Sequence, residues 1–186
     1  FRQDSDFYYL TGFTEDNAVL VLKRGEKDRQ AILFCQPKDK TKELWTGILT
    51  GPKKAVSLLG VDTAYDITDI DTLLPELLAN TELTYYRMGV DNHWDQRVNS
   101  WVNQVRRQAR QGVQAPCQSE HLDPLIHEMR LIKSAAEIAL MQEAADISAR
   151  AHCRAMLSSR EGVTEYQLEA ELQHEFLHSG ASAPAY

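Results

Sequence analysis

The reading of this chain turns on His127-Glu128-Met129-Arg130-Leu131-Ile132-Lys133-Ser134-Ala135-Ala136-Glu137-Ile138. Ser134 suits the N-cap of a helix, because its hydroxyl can accept from a first-turn N–H. Glu137, three residues on, can reach back to the Ser134 N–H and close a capping box. A helix is therefore expected from about Ser134 to Leu157. Just upstream, residues around Pro124 to Leu131 predict a shorter helix. Before that, Gly112 to Asp123 carries Gln, Gly, Pro and Ser with no apolar period and reads as a linker. The stretch thus marks the passage between two domains, 1–122 and 123–186.

Downstream, Thr164 and Gln167 form a second capping box, and Ser179-Gly180 is a helix stop. Leu168, Leu172 and Phe176 recur at helical spacing between them. Upstream, Phe7 to Thr11, Ala18 to Leu22 and Gln30 to Cys35 are short runs rich in β-branched and aromatic residues. Polar turns separate them, which predicts strands joined by hairpins. Pro52 to Leu59 predicts a helix with proline in its first turn and Gly60 as its stop. Asp69 to Leu78 predicts another, with Pro75 either in the first turn or kinking it. Leu83 to Met88 reads as a strand. Asn92 to Arg110 reads as a long amphipathic helix carrying Trp94, Val98, Trp101 or Val102, and Val105. Strands interleaved with helices point to an α/β domain built on a mixed β-sheet with flanking helices.

Composition sets bounds on function. Hydrophobic residues make up 43% of the 186 and charged residues 25%, ordinary values for a globular protein. The net charge of −7 offers no broad basic surface for nucleic acid, which needs cations against its phosphates. Arg106-Arg107-Gln108-Ala109-Arg110 is a local basic cluster, suited to the negative end of a helix. No apolar run reaches the length of a membrane span. Cys35, Cys117 and Cys153 are an odd number without C-x-x-C spacing, so free thiols in a reducing cytoplasm are expected.

His174-Glu175-Phe176-Leu177-His178 matches H-E-x-x-H, which on a helix can place two imidazoles on one zinc with a carboxylate beside the bound water. Two features of the residues oppose that reading. A catalytic zinc needs a third protein ligand, and eight residues follow His178. At 100° per residue the two histidines also lie nearly opposite the Leu168, Leu172, Phe176 stripe, on a polar face with Glu171 and Glu175. The expectation is two solvated histidines. His93, His121, His127 and His152 have no ligand spacing. G-x-S-x-G, G-x-G-x-x-G and Walker patterns do not occur in the sequence.

Three segments carry a resemblance. Arg2-Gln3-Asp4-Ser5-Asp6-Phe7-Tyr8-Tyr9-Leu10-Thr11-Gly12-Phe13 resembles the R-Q-x-S-x-F-x-Y-x-T-G-F signature of the N-terminal domain of bacterial aminopeptidase P, with Ala18 to Leu22 as the A-V-L-V-L strand that follows. Glu43-Leu44-Trp45-Thr46-Gly47, which reads as turn residues after a strand, resembles the E-x-W-x-G segment of the same domain. The 127–138 string is similar to the entry of the catalytic domain across the creatinase and prolidase superfamily, which is a third argument against a zinc at His174. In that family the second domain has the pita-bread fold, so residues 123–186 would be its opening helices.

The resemblance implies an enzyme that removes the first residue from peptides with proline second. It would use two divalent cations, manganese as a rule, held by two Asp, one His and two Glu, which activate water. All five ligands fall after the position of Tyr186, so the chain is expected to be an inactive fragment of a cytoplasmic, homo-oligomeric enzyme, with no catalytic or metal residue of its own. Three residues match substrate-side positions. Trp45 resembles a tryptophan that walls a neighbouring subunit's pocket, where an indole face suits a proline ring; the plain alternative is a packing or surface tryptophan. Arg110 resembles an arginine reaching toward the active-site entrance to bind a peptide carboxylate; the alternative is a helix C-terminal cation. Tyr186 resembles a tyrosine beside the metals. Two rivals remain open: an Xaa-Pro dipeptidase of the prolidase type, and a non-catalytic relative using the N-terminal domain for assembly or peptide binding.

Overall fold

The computed structural model describes residues 2–25, 28–181 and 183–184. The chain divides into two compact units, 1–128 and 129–186.

The first unit is organised around one strand. β1 (Val19–Arg24) and β2 (Arg29–Cys35) pair antiparallel, with Val19 opposite Phe34 and Arg24 opposite Arg29. β3 (Thr63–Asp66) joins β2 in parallel, Ile32 opposite Thr63, so β2 is the centre of a mixed three-stranded sheet. Successive side chains on a strand face opposite sides, and in β2 both sides are covered. Leu33 and Cys35 pack with Phe13, Ala55 and Val61 on one face. Ile32 and Phe34 pack with Ile70, Leu74 and Trp101 on the other. Burial holds the Cys35 thiol protonated, its pKa raised to about 11, with Glu15 and Asp66 adding to the effect.

Helices supply both layers. α3 (Gly51–Leu59) brings Ala55 to the first face, and its stop at Gly60 is left-handed, φ 69°. α4 (Ile70–Leu78) and α5 (Asn92–Arg106) cover the second. Between these two helices Asp71 Oδ1 accepts from Trp101 Nε1 at 2.8 Å and from Arg97 Nη2 at 3.0 Å. The Arg97 guanidinium lies 4.8 Å from the Trp94 ring and 5.2 Å from the Trp101 ring. The buried indole N–H of Trp101 is thereby satisfied. Pro75 is the sixth residue of α4, beyond the first turn and buried, so that helix forgoes one internal hydrogen bond.

Four local expectations are corrected. Phe7 to Thr11 is not a strand but most of α1 (Ser5–Thr11). Asp4 Oδ1 accepts from the Asp6 and Phe7 N–H groups, and Gly12 closes the helix at φ 63°; these caps outweigh the β preference of two tyrosines. The segment around Trp45 is α2 (Lys40–Thr46), capped by Asp39, rather than a turn. The long helix ends at Arg106, and Arg110 lies in a separate 3-10 turn, Ala109–Gln111. The linker contains β5 (Gln118–His121), which pairs in parallel with β4 (Leu83–Tyr86) as a second, two-stranded sheet. Gln-Ser-Glu-His has neither apolar period nor β propensity. Its partner β4, reached through Glu82 O accepting from Gln118 N, imposes the extended form.

α6 (Asp123–Leu131) follows β5. In the second unit α7 (Ala135–Ser158) and α8 (Glu165–His178) pair through Ile147, Ala151, Leu172 and Phe176. Both expected capping boxes form. Ser134 N donates to Glu137 Oε2 at 2.8 Å, and Thr164 N donates to Gln167 Oε1 at 3.0 Å. The Ser134 hydrogen bonds hold the Glu137 carboxyl below its usual range. Among the described residues no helix is long and apolar enough to cross a membrane.

Leu33 is fully buried at the centre of β2. Leu33→Ala is expected to remove about 2–5 kcal/mol of stability. In urea unfolding this would appear as a lower midpoint with an unchanged slope.

Candidate functional site

Among the described residues of the first unit, α2 presents the most exposed large apolar group, Trp45. Asp39 Oδ1 accepts from Thr41 N at 2.9 Å and from Lys42 N at 3.3 Å, which starts the helix. Gly47, at φ 87°, ends it. Glu43 then reaches forward, its Oε1 accepting from Leu49 N at 3.1 Å, and Leu49 is buried. Leu44, Trp45 and Ile48 are left at 82%, 88% and 80% exposure. Trp101, by contrast, is 4% exposed. Trp45 is therefore not a core tryptophan of this chain. Its indole is an open flat face on a short helix that is capped at both ends.

Arg110 is exposed in its 3-10 turn, on a different element from Trp45. Tyr186 lies outside the described residues.

Tertiary structure assembles one cluster that sequence spacing did not reveal. Asp6 on α1 and Asp123 and His127 on α6 bring one possible ligand atom each within 4.8 Å of one another. The charges around them decide its character. Arg87 Nη1 lies 2.6 Å from Asp4 Oδ2, and Arg87 Nε lies 2.8 Å from Asp123 Oδ1. His127 Nε2 is 3.5 Å from Asp6 Oδ2, and His121 Nδ1 is 3.8 Å from Asp123 Oδ2. The Arg87 guanidinium thus stands against one oxygen of Asp123, a residue of the cluster. The cluster is part of an ion-pair network tying α1, the end of β4 and α6 together. The described residues do not supply a two-cation site. The available signal was the pair Asp4 and Asp6, two residues apart, of which Asp6 is buried. Spacing alone could not show that Arg87 and Asp123 would come to meet them.

Among the described residues no third ligand joins the H-E-x-x-H histidines of α8. The His174 and His178 rings stack at 5.5 Å and 17°, and both residues are exposed. Glu175 turns away from them: its Oε1 accepts from Arg150 Nε at 3.2 Å and from Ser179 Oγ at 3.1 Å. Those two hydrogen bonds, the Arg150 one first, hold its carboxyl below the usual range.

Residues 1–86 match the family described as aminopeptidase P, N-terminal domain, and residues 139–186 match metallopeptidase family M24. Along its whole length the chain is 42% identical to the Xaa-Pro aminopeptidase of Escherichia coli (strain K12) and 34% identical to human Xaa-Pro aminopeptidase 3. The chain thus matches the aminopeptidase P N-terminal domain in its first part and metallopeptidase family M24 in its last, and it is similar to Xaa-Pro aminopeptidases along its whole length. It spans 42% of the length of the first of these relatives and 37% of the second. The aminopeptidase P fold is equally plain in three dimensions. The structure of Pseudomonas aeruginosa aminopeptidase PepP superposes with a TM-score of 0.96 at 47% identity, covering all of this chain and 42% of that one. A zinc-substituted Escherichia coli aminopeptidase P in complex with product gives 0.94 at 42% identity, with the same coverage. The α/β first unit thus corresponds to part of an aminopeptidase P N-terminal domain. α7 and α8 correspond to the start of the metallopeptidase domain.

Glu175 provides a test of the α7–α8 contact. Its carboxyl is depressed in the folded state, so the contact adds stability above the ordinary carboxylate range and loses it as pH falls through the folded-state value. Arg150→Ala should move the Glu175 titration, read by NMR of its side-chain carboxyl, up toward the ordinary range. It should also flatten the acid limb of the stability profile. An unmoved Glu175 titration would show that Arg150 does not hold it.

Proposed function

We propose that the full-length protein of which this chain is part is a metal-dependent aminopeptidase, releasing the first residue from peptides with proline in second position. The observation that carries this reading is alignment along the whole chain, at 42% identity, with a protein named Xaa-Pro aminopeptidase. The catalytic cations, manganese in this proposal, and their ligands come from outside these 186 residues. No step of the hydrolysis is therefore assigned to a residue of this chain, which is inactive alone. Its contribution is on the substrate side. We take the domain boundary at 122/123, where α6 begins, with 1–122 as the N-terminal domain.

Trp45 is the residue to which we assign substrate contact. It is 88% exposed on a capped helix, flanked by two other exposed apolar residues. An aromatic face left in water by its own chain is suited to stacking on a proline ring from elsewhere. In this proposal the ring lies in a neighbouring subunit's pocket, so the enzyme acts as a homo-oligomer. Arg110, exposed beyond the end of α5, is assigned to a peptide carboxylate, and Tyr186 to the surroundings of the metals. A cytoplasmic location fits three free cysteines, two of them exposed.

Full-length protein assayed on Xaa-Pro tripeptides and Xaa-Pro dipeptides tests the reading. Release of the first residue from the longer peptides is expected, abolished by a chelator and restored by manganese. Activity confined to dipeptides would favour the prolidase type, and absence of hydrolysis with metal supplied would favour an assembly or peptide-binding role.

Trp45→Ala separates substrate contact from packing. Losing a stacking aromatic is expected to cost about 1–3 kcal/mol in kcat/KM on Xaa-Pro peptides. The melting temperature should scarcely move, since within its own chain the indole is 88% exposed and packs on no core residue. A packing tryptophan would instead lose about 3–5 kcal/mol of stability on truncation.

A further inference from the structure

Residues 38–51 leave the first unit between β2 and α3 and return to nearly the same place. Gly51, at φ +68°, shows how close the two limbs come: a Cβ there would lie 2.9 Å from Lys38 Cγ and 3.4 Å from Lys38 N. Between these ends the segment carries α2 and the exposed Leu44, Trp45 and Ile48. What keeps so short an excursion from swinging is a set of polar ties at its neck.

On the outgoing limb Gln36 is buried, its Nε2 donating to Asp16 Oδ1 at 2.5 Å, and Lys42 Nζ donates to Gln36 Oε1 at 2.9 Å. On the return limb Glu43 Oε1 accepts from Leu49 N, which links α2 to the turn after it. One further tie holds that turn to the rest of the unit. Glu15, in the loop between α1 and β1, accepts from Thr50 N through Oε1 at 2.7 Å, across 35 residues of sequence. Its Oε2 is enclosed by protein without a hydrogen-bond partner. Enclosing a carboxylate oxygen unpaired costs stability. The cost is borne at a contact whose product is a fixed place for Thr50.

We infer that Glu15 is a positioning residue for Trp45. It pins the Leu49–Thr50 limb, the Glu43 to Leu49 tie carries that constraint into α2, and α2 holds the indole at a set height and angle. This rests on the substrate role proposed for Trp45. Glu15 itself touches no substrate. Without its acceptor the ridge keeps its residues and loses its aim, which reduces the fraction of molecules able to engage the proline ring.

The test uses the full-length enzyme and an Xaa-Pro tripeptide, with rates expressed per folded molecule. Glu15→Ala is expected to lower kcat/KM about 3- to 10-fold, the range of one net hydrogen bond. Glu15→Gln, whose amide oxygen still accepts from Thr50 N, should recover most of that loss. In a Trp45→Ala background, Glu15→Ala should add no further loss, because the two act through one contact. Where the alanine variant is too unstable to assay, Glu15→Asp, which keeps the charge and withdraws the acceptor, is used in the same cycle. Losses that multiply in the double variant, or no rescue by glutamine, would overturn the positioning role while leaving Trp45 in place. A Trp45→Ala enzyme with wild-type kcat/KM would remove the substrate reading of the ridge, and this inference with it.

Discussion

Everything in the first unit depends on β2 being buried on both faces. An antiparallel ribbon such as β1–β2 normally leaves one side to water. Here Leu33 and Cys35 demand a cover on one side and Ile32 and Phe34 on the other. The parallel partner β3 is what makes this possible, because a parallel connection has to cross over, and the crossover delivers α3 to the first face. α4 and α5 close the second face, joined through Asp71 and Trp101. Four consecutive residues of β2 thus fix where three helices must lie.

The same crossover makes room for the ridge. The chain leaves β2 at Cys35 and needs to reach α3 at Gly51, and it uses the interval to build α2 outside the core. Helices of this length are marginal in isolation. α2 persists because Asp39 caps its start, Gly47 its end, and Glu43 fastens it to the buried Leu49. A rigid base carrying exposed apolar groups differs from a loose loop that happens to contain a tryptophan. The difference is preorganisation, which lowers the entropy lost when the groups engage a partner.

The two clusters that resemble metal sites are informative by contrast. H-E-x-x-H has the right letters, yet its glutamate is engaged by Arg150 and Ser179. Asp6, Asp123 and His127 come close together in space, and there Asp123 pairs with Arg87 while His127 lies beside Asp6. In both, an arginine from another element pairs with one of the carboxylates.

Local signals were legible wherever the deciding interaction lay within a few residues. The Ser134 and Thr164 capping boxes, the Gly60 and Gly180 stops, the β1–β2 hairpin and the Leu172 and Phe176 part of the α8 stripe all follow from neighbours in the chain, and so did the family resemblance of the 2–13 and 43–47 segments. The same kind of signal was present and overlooked at Asp4 and Gly12, whose caps make α1 a helix although its residues favour a strand. Other features rest on partners far away in sequence. β5 is a strand because Glu82 and β4 receive it, and the Asp71 bridge, the Arg87 network and the Glu15 tie to Thr50 span roughly 26 to 120 residues. Composition and periodicity record what a segment prefers. They do not record which distant donor its carboxylates will meet, and in this protein those meetings decide how α2 is tied to the sheet and which arginines pair with Asp123 and Glu175.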